Sequence, residues 1–182
     1  MQPTELRTLR CGKAILELVE GDLTQQSTDA IVNAANSSLL GGGGVDGAIH
    51  LAGGPAILAA CRPLGGCAPG EAKLTPGGNL PARFVIHAVG PIYRDGQQGE
   101  GEILASAYLR SLEIAAEHGL SSIAFPSIST GAYGFPVAEA AAIALSTVAN
   151  RLERHESLRL ARFVLFSAAD ANTYARALSR LA

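Results

Sequence analysis

The residues best suited to chemistry lie within residues 33–50, where four consecutive glycines are followed closely by an aspartate. Residues 41–44 predict a loop, because each glycine costs roughly 0.5–1 kcal/mol relative to alanine inside a helix or strand. Backbone N–H groups of such a loop can point together at an anion, above all at a phosphate. Asp46 follows at the start of a predicted helix. We interpret the stretch as a phosphate-binding loop that presents one carboxylate to the reacting end of a nucleotide-like ligand; the alternative is a flexible loop with Asp46 as N-cap.

The chemistry expected of Asp46 is cleavage at the anomeric carbon of a sugar. A helix N-terminus favours its ionised form, so Asp46 is a weak general base. It can still place a water and stabilise positive charge in an oxocarbenium-like state. His50 lies one turn further along the helix and can orient Asp46 or a water, or can be a partly buried structural histidine. The stretch lacks a second carboxylate, which disfavours a two-acid glycosidase, and the chain has no GxSxG elbow, P-loop lysine or metal-ligand spacing.

Other candidate ligand groups follow predicted strands. Asp22 can accept a hydrogen bond from an exocyclic amine, or can cap the next turn. Asn33 and Asn36 offer amides suited to sugar hydroxyls, with local backbone bonding as the alternative. A second loop of small residues can wrap a diphosphate with main-chain N–H groups, or can be a plain strand-to-helix connection. This loop contains Ser127, Ser129, Thr130 and Gly131.

Two aromatic residues are candidates for contacts with a sugar and a base. Tyr133 can shield a sugar. Phe166 can stack on a base, because an aromatic pair gains about 1 kcal/mol beyond area burial, or it can be an ordinary core residue. His87 lies within a predicted strand and is interpreted as structural.

Alternating strands and helices position these groups. Apolar runs predict strands at residues 6–10, 14–20, 30–34, 71–75, 84–89, 123–125 and 159–166. Helical spacing predicts helices at residues 46–60, with a break near 53–55, and at 102–118, 137–152 and 170–181. This order predicts a single domain over residues 1–182, folded as a three-layer α/β sandwich with a mostly parallel sheet. Because ligands bind beyond the carboxyl ends of such strands, we expect the candidate segments to meet at one rim.

Composition limits the classes of partner. The 182 residues are 48% hydrophobic and 16% charged, with a net charge of −2, which suits one compact domain. Without a basic excess, duplex nucleic acid is not an expected partner, and an anion must be held by backbone amides. No run approaches the roughly 18 apolar residues of a membrane helix, and three cysteines and four scattered histidines form neither a disulfide framework nor a metal site. We therefore expect a cytoplasmic monomer with no membrane partner, metal or cofactor.

Taken together, the motifs resemble those of the macrodomain family, most closely its MacroD-type branch. They are Gly21-Asp22-Leu23-Thr24, Asn33-Ala34-Ala35-Asn36, the glycine loop with Val45-Asp46-Gly47-Ala48-Ile49-His50, Gly70-Glu71-Ala72, His87-Ala88-Val89-Gly90-Pro91 and residues 127–136. The resemblance covers nearly the whole chain and implies an ADP-ribose-binding α/β/α sandwich with a mixed sheet. It also implies an enzyme that removes mono-ADP-ribose from acidic side chains of proteins and deacetylates O-acetyl-ADP-ribose. ADP-ribose, ADP-ribosylated proteins and O-acetyl-ADP-ribose are thus the expected partners.

The resemblance implies roles at the two ends of the ligand. Asp22 would bind the adenine amine with Leu23 beside it, where isoleucine is usual, and Phe166 would stack on the adenine. Asn36 would bind the distal ribose, and Asn33 would support that loop.

The resemblance also implies which residues contact the phosphates and which lie at the reacting bond. The first phosphate loop would comprise Gly43, Gly44 and Val45, and the second would comprise Ser129, Thr130, Gly131 and Ala132. Tyr133 would lie over the distal ribose, where Asp46 would be the catalytic acid residue. A water held by Asp46 can attack the anomeric carbon or the ester carbonyl. A reader without chemistry and a phosphatase acting on ADP-ribose 1″-phosphate remain open alternatives.

Overall fold

The computed structural model describes residues 4–182, which form one mixed sheet with helices on both faces. The strands are β1 (Thr4–Cys11), β2 (Ala14–Glu20), β3 (Ala30–Ala35), β4 (Ala72–Pro76), β5 (Phe84–Val89), β6 (Ser122–Phe125) and β7 (Leu160–Leu165). The helices are α1 (Gly44–Gly53), α2 (Pro55–Cys61), α3 (Glu100–Glu117), α4 (Val137–Leu152) and α5 (Ala168–Ser179). Single 3-10 turns cover Leu23–Gln25 and Arg62–Leu64.

The sheet has the strand order β1-β2-β7-β6-β3-β5-β4. Strands β2, β7, β6, β3 and β5 run parallel, whereas β1 and β4 pair antiparallel at the two edges. The predicted mixed, mostly parallel sheet is therefore confirmed. Its consequence for function is that five carboxyl strand ends lie side by side along one rim.

Two apolar layers cover the faces of this sheet. On one face, α3, α4 and α5 pack around a cluster of buried rings with centroids 5.3–5.8 Å apart, formed by Tyr108, Phe125, Phe163 and Tyr174. On the other face, Ile49 of α1 and Ile57 of α2 pack against residues from the central strands. The predicted three-layer sandwich is therefore confirmed: helices cover both faces of the sheet, as a mostly parallel sheet requires.

Several element boundaries differ from those predicted. Helix α1 begins at Gly44 with Gly43 as N-cap, so Asp46 is its third residue and does not cap it. The predicted interruption is a full break, because Gly54 has φ +76° and Pro55 starts α2. Helix α5 starts two residues earlier than predicted, since the Ser167 hydroxyl caps it by accepting the backbone N–H of residue 170 at 3.1 Å.

Neither a single membrane-spanning helix nor a metal-ligand cluster is found within residues 4–182. The segments Gly44–Gly53 and Pro55–Leu64 reach the length and hydropathy of a span only as a pair, and that pair is bent by 112°. No group of three or more His, Cys, Asp or Glu residues in this part of the chain is arranged to hold a metal ion.

Candidate active site

A cleft of about 660 Å³ opens along the rim formed by the parallel strands. Asp22 follows β2, Phe166 follows β7 and Asn36 follows β3, and all three line it. The remaining predicted contacts that line the cleft are Leu23, Gly43, Gly44, Val45, Asp46, Ser127, Ser129, Thr130, Gly131, Ala132 and Tyr133. The structure thus brings both small-residue loops and both ends of the expected ligand path to one cavity.

Two predicted ligand contacts, Asn33 and His50, are not part of the cleft lining. Asn33 is fully buried within β3, and its amide lies behind Asp46. The His50 ring also lies on that side, with Nε2 3.4 Å from Asp46 Oδ1. Both side chains contact Asp46 Oδ1, so in this structure they support the carboxylate, and their roles as direct ligand contacts stay predictions.

The Asp46 carboxylate is buried, and one of its oxygens is fixed. Oδ1 accepts a hydrogen bond from Asn33 Nδ2 at 2.7 Å. Oδ2 lies near Gly42: a Cβ at that glycine would be 3.1 Å from Oδ2 and 3.2 Å from Asn36 Nδ2. One carboxylate oxygen and one amide nitrogen therefore converge at a glycine of the cleft wall.

A chain of buried polar groups continues behind Asp46. The second N–H of the Asn33 amide points at His87 Nδ1, 3.1 Å away, and His87 Nε2 lies 2.8 Å from Thr75 Oγ1. Because an amide nitrogen only donates, Nδ1 accepts and the proton of the neutral ring sits on Nε2. Burial, and next the nearby His50, lower the pKa of His87 to about 4. His87 is thus a neutral structural acceptor, as its place in a strand indicated.

The amide of Asn36 is partly committed to its own loop. Its Oδ1 accepts from the backbone N–H and the hydroxyl of Ser38, at 3.1 and 2.5 Å. Its Nδ2 donates to the carbonyl of Gly41 at 2.9 Å. The local bonding alternative therefore applies, yet the second amide N–H remains available on the cleft side.

The opposite end of the cleft presents a carboxylate and an aromatic ring. Asp22 Oδ1 accepts from the backbone N–H and hydroxyl of Thr24, at 2.8 and 2.7 Å, so Asp22 caps the Leu23–Gln25 turn. Its Oδ2 has no hydrogen-bond partner among residues 7–182, whose side chains the structure describes. Phe166 is 88% exposed, which rules out its alternative as a core residue. Asp170, which sequence reasoning missed, also lines this end.

Backbone N–H groups supply the polar surface between the two ends. At the start of α1 the N–H groups of Gly44, Val45 and Asp46 have no acceptor within residues 4–182, as expected for a helix N-terminus. Residues 129–132 likewise have N–H groups without an acceptor in the described chain. The cleft lining contains no lysine or arginine. An anion bound here would therefore be held by main-chain dipoles.

The second loop, residues 127–134, is fixed from below by two buried tyrosines. The Tyr108 hydroxyl accepts the N–H of Ile128 at 3.0 Å and donates to the carbonyl of Pro126 at 3.1 Å. The Tyr174 hydroxyl donates to Ser127 Oγ at 2.8 Å. These bonds tie the loop to α3 and α5 in the layer beneath it.

Gly90, at the end of β5, allows the second loop to approach the sheet. A Cβ at this position would lie 2.2 Å from Ser129 Oγ and 2.5 Å from Ile128 Cγ2. The sequence indicated Gly90 only as the stop of a strand. Its presence next to Pro91 was the available signal, but the partner that demands a glycine lies about forty positions further along the chain.

The chain is similar to known proteins over most of its length. Residues 32–144 match the model of the Macro domain family. The macro domain-containing protein CT2219 of Chlorobaculum tepidum is 55% identical over 165 residues, which cover 91% of this chain and 96% of that protein. This chain belongs to the macrodomain family.

Other macrodomains extend the comparison to ligands. A protein of Escherichia fergusonii named O-acetyl-ADP-ribose deacetylase is 51% identical over 172 residues, covering 92% of this chain and 97% of its own. The structure of the Oceanobacillus iheyensis macrodomain with ADP matches with a TM-score of 0.94 at 45% identity, covering 100% of this chain and 98% of that one. The Trypanosoma brucei macrodomain in complex with ADP-ribose matches with a TM-score of 0.84 at 42% identity, covering 90% and 68%.

Proposed function

We propose that this macrodomain binds ADP-ribose and hydrolyses esters at its distal ribose, as a MacroD-type enzyme. Its reactions would be removal of mono-ADP-ribose from acidic side chains of proteins, deacetylation of O-acetyl-ADP-ribose, or both. The observation that carries the proposal is the convergence of Asp46 Oδ2 and the Asn36 amide at Gly42. The relatives named O-acetyl-ADP-ribose deacetylase and the related macrodomain structure with ADP-ribose support it.

The order of strands supports one direction for the ligand. Asp22 and Phe166, beside β2 and β7, suit the adenine, because one offers a carboxylate oxygen and the other an exposed ring. The loops with free N–H groups suit the two phosphates. Asn36, Asp46 and Tyr133 then meet the distal ribose at the β3–β5 end.

The proposed chemistry needs one water and no metal ligand from this chain. Asn33 fixes one carboxylate oxygen of Asp46, so the other can accept a hydrogen bond from a water and hold it beside the ester. The water oxygen bonds to the ester carbonyl carbon or to the anomeric carbon, and the ester C–O bond on that carbon breaks. Either route yields a carboxylic acid and ADP-ribose with a free hydroxyl. Hydrolysis in ¹⁸O-water distinguishes them, because the label enters the acid in the first route and the ribose in the second.

The deciding experiment compares the native chain with Asp46→Ala on glutamyl-ADP-ribosylated protein and on O-acetyl-ADP-ribose. We expect the native chain to release ADP-ribose and the variant to lose at least about 100-fold in kcat, within the range of a positioned acid or base. The Kd for ADP-ribose, measured by calorimetry, should change by no more than about threefold. Glu117→Ala, an exposed acid on α3, is the matched control and should behave as the native chain.

The other outcomes identify different functions. Saturable ADP-ribose binding without product over hours would indicate a reader. Phosphate release from ADP-ribose 1″-phosphate without ester hydrolysis would indicate a phosphatase. Undiminished turnover by Asp46→Ala would remove Asp46 from the mechanism.

A further inference from the structure

A smaller hollow of about 270 Å³ adjoins the cleft. Gly90 and Tyr133 line both cavities, so the two lie next to each other at the end of β5. The hollow is also lined by Ser37, Pro91, Ile92, Arg94 and Glu100. Its volume lies just below the roughly 300–1,000 Å³ of small-molecule pockets, which suits one or two side chains rather than a second nucleotide.

The position of the hollow follows from the order of the strands. The adenine end of the cleft lies at β2 and β7, and the reacting end lies at β3 and β5. The hollow lies beyond this reacting end, because Ser37 directly follows Asn36 and Pro91 directly follows Gly90. With ADP-ribose bound in the proposed direction, a group esterified to the distal ribose would leave the cleft on the side of the hollow.

This hollow is distinguished by the exposed guanidinium of Arg94, which forms no ion pair with a described carboxylate. The only charged residues that line it are Glu100 and Arg94. Glu100 accepts four backbone N–H bonds, from residues 94, 95 and 96 on Oε2 at 3.1, 3.2 and 2.8 Å and from residue 98 on Oε1 at 2.6 Å. Burial raises the pKa of Glu100, but these bonds outweigh it and lower the pKa to about 2. By contrast, no carboxylate among residues 7–182, whose side chains the structure describes, lies within 4.0 Å of the Arg94 guanidinium.

The segment that carries Arg94 is held in place on both sides. The N–H of Tyr93 donates to the carbonyl of Tyr133 at 2.8 Å, and the Tyr93 ring lies 4.8 Å from that of Phe135. The carboxylate of Glu100 fixes the backbone that follows Arg94. A partner that binds here meets a preorganised loop, so little ordering cost is added on binding. Ile92, 55% exposed, adds apolar surface beside the cation.

We propose that this hollow binds the polypeptide that carries the ester-linked ADP-ribose. Arg94 contacts an acidic side chain that neighbours the modified residue, and Ile92 packs on the apolar part of the same segment. The inference rests on the proposed binding of ADP-ribose in the cleft. It makes Arg94 a specificity determinant for protein esters, because an acetyl ester has no flanking residues and gains nothing from the cation.

The test uses Asp46→Ala as background, so that the ester survives the measurement. The probes are free ADP-ribose and two peptides with a glutamyl-ADP-ribose ester, one flanked by aspartates and one by alanines. We expect the aspartate-flanked peptide to bind most tightly and Arg94→Glu to weaken it at least about tenfold, which corresponds to about 1.4 kcal/mol. The Kd for free ADP-ribose should stay within about twofold. Arg154→Glu, the same charge change at an exposed site after α4, should alter neither.

A second measurement uses the active chain. Arg94→Glu should lower kcat/KM on the aspartate-flanked peptide and leave kcat/KM on O-acetyl-ADP-ribose unchanged. Equal weakening of free ADP-ribose and peptide, or no effect on either, would overturn the role of the hollow while the proposed function stands. Failure of the native chain to bind ADP-ribose would overturn both. Binding without turnover would overturn only the enzyme proposal, since the Kd comparison needs no hydrolysis.

Discussion

Asn33 shows how a single buried amide determines the geometry of Asp46. Its two N–H groups are used on opposite sides, by Asp46 Oδ1 and by His87 Nδ1. A flipped amide would bring Asn33 Oδ1 against a carboxylate and against a ring lone pair, so only one orientation is stable. The same Oδ1 is buried, and no donor of the described chain reaches it, so the amide's role in this site is to donate.

Asn33→Leu keeps the side-chain volume and removes both donors. We expect kcat on O-acetyl-ADP-ribose to fall about 10- to 100-fold, because misplacement of a reacting group by about 1 Å costs up to about 100-fold. The Kd for ADP-ribose should change less than about threefold, since Asn33 does not line the cleft. Asn172→Leu, an exposed site on α5, is the control. An unchanged kcat in a folded Asn33→Leu protein would contradict this role.

His87 makes stability depend on pH. Its folded pKa of about 4 lies below the ordinary 6.5, so only the unfolded chain gains a proton between these values. The stability contributed by the neutral ring is present above pH 6.5 and is lost as pH falls towards 4, by about 3 kcal/mol at 1.36 kcal/mol per pKa unit. Urea unfolding at pH 7.5 and 4.5 measures this loss.

The same measurement on two variants isolates the histidine. His87→Gln should be less stable at pH 7.5 but should lose less stability on acidification than the native chain. His118→Gln, at an exposed position after α3, should retain the native loss. Equal slopes for His87→Gln and the native chain would refute the assignment.

At the scale of elements, the site depends on how closely strands and loops approach each other. Gly90 lets the end of β5 contact the second loop, where any Cβ would lie 2.2 Å from Ser129 Oγ. Ser129 itself has φ +66°, which non-glycine residues adopt rarely. The loop is therefore held between the close contact with Gly90 on one side and the hydrogen bonds from Tyr108 and Tyr174 on the other.

Gly90→Ala should displace the second loop. We expect the Kd for ADP-ribose to rise at least about tenfold, because overpacking of about 1–3 kcal/mol is relieved by moving the N–H groups that face the ligand. Gly101→Ala is the control, since a Cβ there meets nothing nearer than 3.5 Å and its φ is not positive. Calorimetry with both variants measures the difference, and native affinity in Gly90→Ala would show that the loop tolerates the methyl group.

The sequence predicted the elements better than their ends. Apolar runs identified every strand, because a strand buried on both faces of the sheet is apolar along its length. Alanine-rich helical periodicity identified α4 from Val137 to Leu152, because one side of that helix is buried. The start of α1 was misplaced by two residues. Gly44 has φ +58° while still forming the first helical residue, and a run of four glycines gives no local signal of where helical bonding begins.

At the scale of the whole molecule, recognition of an anion by a chain with net charge −2 has a measurable signature. No lysine or arginine lines the cleft in the described residues. Salt screens separated charges far more than short hydrogen bonds from dipoles. The affinity for ADP-ribose should therefore depend weakly on ionic strength.

We expect the Kd for ADP-ribose to change less than about threefold between 50 and 500 mM NaCl. At 100 times its Kd, ADP-ribose should stabilise the fold by about 2.7 kcal/mol and raise Tm by about 5–10 °C for a chain of this size. Calorimetry and thermal unfolding measure the two quantities. A tenfold or larger salt effect would indicate that a distant cation, such as Arg94, reaches the ligand.

Sequence alone predicted which residues line the cleft where those residues directly follow strands. It did not predict contacts between segments that are distant in the chain. Asp22, Asn36 and Phe166 could be expected to line the cleft because the carboxyl end of a parallel strand is visible in the sequence. Asn33 and His50 lie behind Asp46 and outside the cleft lining. Nothing in the sequence spacing distinguishes a side chain that meets a ligand from one that supports a neighbouring carboxylate. The hollow beside Gly90 joins four separate segments, around residues 37, 69, 90–103 and 133, and carries no motif.

The bonds from Tyr108 and Tyr174 to the second loop have a further consequence. Both hydroxyls end in that loop, while both rings belong to the aromatic cluster of the interior. A substitution that shifts either ring, even one in the core far from the cleft, will be transmitted to the anion-binding amides. Variants selected for a tighter interior should thus carry altered affinity as a side effect, so that stabilising this protein and preserving its recognition are not independent engineering goals.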